Sequence, residues 1–449
     1  MADTHKSAAV IGGGWAGCSA AVELARAGYK VTLFESSRTL GGRARLVEAH
    51  GMSLDNGQHI LLGAYSETLR MLALVGVDAD TALLKLPLQM RYPPAGNGMD
   101  FLAPRLPAPL HLALALLRAK GLGRDDKLSL ARFSTTARWM DWRLHTDCTV
   151  SELLDRFDQT ARLIQLLWRP LCLAALNTPP ERASAQVFLN VLRDSLGARR
   201  AASDMLLPRT DLSALFPSAA AAYIIARGGA VRTGAKVGAV SRHGDGWQVA
   251  VSGNAVDGTW SVYVDAAVMA SGAPATAVLL GKLGQDELAS QLMSFAYEPI
   301  TTVYLQYPAG TTLELPFYAL LDEPERGHWG QFVFDRGQLD VSQAGMLSVV
   351  VSASQQAGAM EREALGAAVA AQLAEVFARP ALAAPQWRQV ITEKRATFAC
   401  TPGLQRPSNE IGLAGLAIAG DYTAGDYPAT LESAVRSGVG AARLAAGKR

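Results

Sequence analysis

Three glycines, Gly12, Gly14 and Gly17, stand in GxGxxG spacing, and a carboxylate, Glu35, closes the next apolar run. Glycines so spaced permit a tight turn, close backbone approach to a pyrophosphate and close helix packing, while the helix N-terminus offers amides and positive dipole. A carboxylate after the second strand accepts from ribose hydroxyls and repels a 2′-phosphate. The expected occupant is an adenosine diphosphate moiety. FAD and NAD are both open at this point, and NADP is disfavoured at this first site.

Two further stretches favour FAD. In "RTLGGRAR", Gly41, Gly42 and Arg43 can run backbone and a cation past the same diphosphate. In "IAGDYTAGDYPATLESAVRSG", Gly420 and Asp421 are expected at the end of a strand, leading into a helix whose N-terminus can face a flavin. A plain NAD dehydrogenase needs no such distant closing segment.

These groups need elements to hold them. Residues 7–11 form a short apolar run, 15–27 an alanine-rich stretch of helical periodicity, and 29–34 a strand-like alternation. The βαβ rhythm stops among the proline and glycine breaks of 86–109, and 110–196 read as mostly helical. Helix and hairpin-like segments return near 219–253, followed by "WSVYVDAAVMASGAP", read as one strand ending in a small-residue turn. Strands such as "PITTVYLQY" and a helix near 361–377 form a second excursion. The expected architecture is α/β: a Rossmann-like FAD-binding domain interleaved with a mixed α+β substrate domain. The first would comprise 1–90, 197–274 and 391–449, and the second 91–196 and 275–390.

Composition narrows the function class. The 449 residues are 49% hydrophobic and 18% charged, enough to bury large cores. Forty-two basic against 40 acidic residues leave a net charge of +2, without the global field that draws nucleic acid. Cys18, Cys148, Cys172 and Cys400 form no CxxC pair, so a reduced, cytoplasmic compartment is expected and no metal site. No apolar run reaches the roughly 18 residues of a transmembrane helix.

On the glycine set, Glu35, the Gly41-Gly42-Arg43 turn, "GGAVRTGAKV" and Gly420-Asp421, the chain resembles the FAD-dependent amine oxidase and phytoene desaturase superfamily. The resemblance implies diphosphate contacts from the glycines and Arg43, ribose contact from Glu35, an adenine-side position for Val237 and a flavin diphosphate or ribityl position for Asp421. Four segments resemble the squalene-associated FAD-dependent desaturase branch more closely: "LDNGQHILLGAYSETL", "LWRPLCLAALNTPPERASAQVF", "LLPRTDLSALFP" and the C-terminal "GDYTAGDYPATLESAVRSG". That branch implies reductive loss of the allylic hydroxyl of a hydroxysqualene-like isoprenoid. Reduced flavin would supply hydride, with an external reductase or NADPH as the electron source. The alternatives are a carotenoid-type desaturase running oxidatively and a non-catalytic isoprenoid carrier that has lost flavin.

The implied reaction needs acid assistance, because hydroxide leaves poorly. His59 in "DNGQH" is the first candidate, with Asp55 and Gln58 as neighbours that orient it; a polar turn under the cofactor explains the same residues. Cys172 could face substrate, although an isolated cysteine in an apolar helix commonly serves as a small core residue. Arg169 and Asn177 could bind the hydroxyl or serve only in surface pairing and capping. Cys400 lacks the context for covalent flavin attachment. Tyr422, Tyr427 and the less polar Pro428, Ala429, Thr430 and Leu431 suit a polyprenyl chain better than an amine cage. The stretch 107–120, apolar with basic residues at its end, is either a core helix or a peripheral membrane contact at a lipid entrance.

Overall fold

The computed structural model describes residues 6–253 and 258–447. Its first sheet is parallel and five-stranded, in the order Ala230–Arg232, Lys30–Phe34, Ser7–Ile11, Ala266–Met269, Leu416–Ile418. The central strands are almost wholly buried and apolar, as a sheet covered on both faces requires. Helix Trp15–Arg26 covers one face and packs on the C-terminal helix Leu431–Ala445. The turn entering the first helix is tight. Gly12 has φ +109°, and a Cβ there would lie 2.7 Å from the Ala270 carbonyl oxygen. At Gly17 a Cβ would lie 1.8 Å from the Gly12 oxygen, so the helix can approach its own turn only as glycine.

The second sheet is antiparallel, in the order Phe317–Ala319, Phe332–Asp335, Met346–Ser352, Tyr297–Gln306, Trp387–Phe398. Its side chains alternate. Tyr318, Val333, Val349 and Val351 pack on Leu365, Val369 and Leu373 of helix Arg362–Val376, whereas Phe317, Phe332, Phe334 and Val350 look the other way, into a cavity.

Three expectations change. The boundary at 390/391 falls inside strand Trp387–Phe398, whose pairing with Tyr297–Gln306 keeps residues through 398 in the second sheet. The boundary at 274/275 cuts helix Ala273–Lys282, which packs with Asp286–Met293 beside strand Lys236–His243. "WSVYVDAAVM" is two strands: Thr259–Val264 joins an antiparallel three-stranded sheet and Ala266–Met269 the parallel one.

Helices Leu110–Arg118, Arg124–Trp139 and the bulged run through Ala161–Leu176 complete the cavity. Pro170 has no N–H to give the Leu166 carbonyl, and the helix widens to a π turn over Ile164–Trp168. The Tyr92 hydroxyl donates to that carbonyl at 2.8 Å. Through Leu167 and Leu171 the bulged helix faces the cavity.

Candidate active site

One cavity of about 1560 Å³ runs between the two sheets. Single small-molecule pockets span roughly 300–1,000 Å³, so this one has room for two occupants. Its ends differ chemically. One is built of glycine turns, Glu35, Arg43 and Asp421; the other is walled by Phe317, Phe332, Phe334, Leu112, Leu116 and Phe133.

At the first end, Gly12, Gly14, Glu35, Gly41, Gly42, Arg43, Val237, Gly420 and Asp421 all line the cavity. Gly17 does not, since it sits behind the turn it permits. Helix Trp15–Arg26 has Gly14 as N-cap and no side-chain cap, so its terminal amides are not taken by its own cap residue. The Glu35 carboxylate is already fixed: Oε2 accepts from the Gly13 amide at 2.6 Å, and Oε1 from the Ser37 amide at 2.7 Å and the Ser37 hydroxyl at 2.9 Å. Oε2 retains room for another donor.

Arg43 and Asp421, 378 positions apart, form a 2.6 Å ion pair, and the same guanidinium donates to the Ala396 carbonyl at 2.6 Å. Against burial, which disfavours its charge, Asp421 raises the Arg43 pKa. Asp421 was expected at the strand end but lies past it, in a twelve-residue loop (419–430) that separates the strand from the helix, which begins only at Leu431 with Thr430 capping it. A bare turn, a fixed carboxylate and an ion pair whose carboxylate is buried fit an adenine dinucleotide.

Between the two ends runs Asp55–His59. Gln58 and His59 line the cavity; Asp55 and Cys172 do not. His59 is oriented by the backbone and not by Asp55: its Nδ1 lies 2.7 Å from the Gly57 carbonyl oxygen, which can only accept, so Nδ1 carries the proton. Burial pushes the His59 pKa below its ordinary value, the Gly57 contact opposing and Arg43 adding to the shift. The ring is therefore neutral near pH 7, its Nε2 an acceptor. That is opposite to the acid role expected from the sequence. Asp55, 2% exposed, accepts from the Leu212 amide at 2.8 Å. Burial, offset in part by Arg336 and that amide, raises it to about 6.

The remaining candidates resolve as structure. Cys172 is buried, its thiol donating to the Thr178 carbonyl at 3.4 Å, and burial raises its pKa. Cys400 is buried outside the cavity lining, its thiol pushed up to about 12 by burial. Asn177 lines the cavity but spends its amide on capping: it ends its helix at φ +47°, donates to Thr397 Oγ1 at 3.0 Å and accepts from the Ala353 amide at 2.7 Å. Arg169 pairs with Asp322 at 3.2 Å, outside the lining. Tyr422, Tyr427 and Pro428 through Leu431 do line the cavity.

Sequence reasoning missed Asn56, whose amide bridges the Arg43 carbonyl at 3.0 Å and Glu393 at 3.2 Å. It also missed Arg336 and the phenylalanine wall. The alternation Phe332, Phe334 in "QFVFD" was the available signal for the wall; for Arg336 there was none.

A parallel dinucleotide-binding sheet and an antiparallel sheet sharing one two-ended cavity define a class: two-domain, dinucleotide-dependent oxidoreductases. The chain belongs to the flavin containing amine oxidoreductase family, whose model matches residues 15–446, and it is a FAD-dependent oxidoreductase. It is 31% identical to a hydroxysqualene dehydroxylase of Rhodopseudomonas palustris, over 98% of each chain, and 28% identical to one of Sinorhizobium fredii, also over 98% of each. A zeta-carotene desaturase of Arabidopsis thaliana is 25% identical over 96% of this chain and 83% of its own. In fold it is similar to cyclohexylamine oxidase from Brevibacterium oxydans, at a TM-score of 0.69 and 17% identity over 99% of each chain.

Proposed function

We propose that this enzyme removes the allylic hydroxyl of hydroxysqualene, giving squalene and water. The observation that carries the reading is the apolar, aromatic half of the cavity, continuous with the glycine-lined half and holding Gln58 at the junction. The near full-length similarity to hydroxysqualene dehydroxylases supports it.

Gly12, Gly14, Glu35, Gly41, Gly42, Arg43, Val237, Gly420 and Asp421 would hold FAD, with Gly17 letting the helix approach. When bound, reduced FAD would supply the hydride that replaces the hydroxyl, a solvent proton would leave with that hydroxyl as water, and an external reductase or NADPH would return the electrons. The chain's own part is to bind, orient and shield. Gln58 donates an amide N–H to the hydroxyl oxygen, whose developing negative charge it stabilises. Neutral His59 offers Nε2 as an acceptor for the hydroxyl proton, fixing the group's direction. The faces of Phe317, Phe332 and Phe334 suit the cationic character that an allylic carbon gains as oxygen leaves, and they exclude water.

Entry fits the end bounded by helices Leu110–Arg118 and Arg124–Trp139. They expose Leu110, Leu117, Leu128 and Trp139, the last 88% accessible, beside Arg118, Lys127 and Arg132. Apolar side chains among basic ones match a peripheral contact with an anionic bilayer. No helix among the described residues is long and apolar enough to cross one.

The test is an anaerobic single turnover with chemically reduced FAD and hydroxysqualene, following flavin reoxidation and squalene together. Matched formation is expected. Failure to form squalene, with flavin reduction when the oxidised enzyme meets a polyene, assigns the oxidative desaturase reading that the similarity to zeta-carotene desaturase favours. A colourless protein that takes up no FAD assigns the carrier.

A further inference from the structure

We infer that Arg336, outside the cavity wall and 278 positions from Gln58 in sequence, is the residue that aims the Gln58 amide and thereby makes the site select an alcohol over the corresponding hydrocarbon. The inference rests on the proposed reading of the substrate half.

Arg336 opens a short turn after strand Phe332–Asp335 and is 2% exposed. Its Nη1 donates to Gln58 Oε1 at 2.9 Å, its Nε to Gln343 Oε1 at 2.8 Å, and its Nη2 lies 4.0 Å from Asp55 Oδ2. The Ser348 hydroxyl adds a second donor to Gln58 Oε1 at 3.3 Å. An amide can be turned end for end with little change of shape. Here it cannot, because a guanidinium has only donors and must face the amide oxygen. With Oε1 held by Arg336 and Ser348, the nitrogen takes the other side. One N–H of Nε2 reaches the His59 carbonyl at 3.3 Å, and the second is left for the cavity that Gln58 lines.

The surroundings hold the guanidinium still. Gln343 is itself anchored, its nitrogen donating to the Ser53 carbonyl at 3.1 Å, and Asp55 supplies the carboxylate facing the buried cation. Arg336 is thus a positioning residue that acts through Gln58. A buried donor left unpaired when the ligand has no hydroxyl disfavours that ligand. Reversal of the amide would present an oxygen instead and lose the pairing with Arg336.

The experiment measures binding of hydroxysqualene and of squalene to the oxidised holoenzyme, where no reductive turnover intervenes, for the wild type, Arg336→Lys, Gln58→Ala and the double variant. Lysine keeps the buried charge but loses the planar fork. We expect the wild type to prefer the alcohol by about 10-fold or more, the order of one hydrogen bond. Each single variant should lose most of that preference while retaining its flavin spectrum, and the double variant should lose no more than Gln58→Ala alone. An unchanged preference in Arg336→Lys, a loss that adds to that of Gln58→Ala, or no preference in the wild type overturns the inference. Alcohol preference of the expected pattern without single-turnover squalene formation leaves the Arg336 assignment standing and removes the proposed reaction.

Discussion

The two ends of the cavity are built by opposite strategies. The glycine end is mostly backbone: a turn with no room for a Cβ at Gly12, uncapped helix amides, and a carboxylate tied down by the Gly13 amide and by Ser37, two residues on. The aromatic end is side chain throughout, taken from the second sheet and from helices distant in sequence. A backbone site tolerates little change in the chain that forms it. A side-chain site can be remodelled residue by residue, which suits a fold family whose similar proteins include amine oxidases and carotene desaturases.

The strongest way to break the contrast is Gly12→Val. A β-branched residue at φ +109°, against the Ala270 carbonyl, should weaken FAD by roughly 4 kcal/mol, or about 1000-fold. Equilibrium dialysis of flavin reads it, and retained affinity within 10-fold would mean that the turn does not carry the cofactor. Asp55→Asn probes the junction. The folded protein holds the Asp55 proton up to about pH 6, whereas the unfolded chain releases it near 3.8. The unfolded state therefore binds fewer protons between those values, and wild-type stability should fall by about 2 kcal/mol as pH rises from 4 to 7. Asparagine removes that component, so denaturant titrations of the two proteins at pH 4 and 7 should diverge; parallel curves would exclude a raised Asp55. The smallest effect is expected in the aromatic half. Tyr92→Phe leaves the Leu166 carbonyl of the bulged helix without its donor, at a cost of about 1 kcal/mol in unfolding free energy and with flavin content unchanged. A Tm equal to the wild type would show that the bulge needs no such brace.

The same contrast explains what could be read from the sequence. Gly12, Gly14, Gly17 and Glu35 fall within one strand–turn–helix–strand unit, so spacing alone predicted a site whose members meet locally. Gly420 and Asp421 stood out in the sequence as a strand end leading to a helix that can face a flavin, but their diphosphate or ribityl role came from the family resemblance, and nothing local announces Arg43, 378 positions away. Gln58 and His59 were visible, but their roles were not. The proton on His59 Nδ1 follows from a carbonyl two residues back, and the Gln58 orientation from an arginine that the second sheet delivers. Cys172 shows the converse. Its neighbours Leu171 and Ala174 reach the cavity while its thiol turns to Thr178, a difference of helical phase that the widened turn before it makes hard to count. The domain limits failed at 275 and 391 because each fell inside an element whose partners lie elsewhere in the chain.

The Arg43–Asp421 pair also bears on how the protein is made. Ribosomes add roughly 5 to 20 residues per second, so the 378 positions between the two residues take roughly 20 to 75 s to synthesise. Through that interval Arg43 lacks its carboxylate, and until Ala270 is made the Gly12 turn lacks the backbone it packs against. The wall closes only when the last strand of the parallel sheet, Leu416–Ile418, and the loop after it emerge. With Arg43 and Asp421 assigned to FAD as proposed, the cofactor wall is complete only once the C-terminal segment has been made.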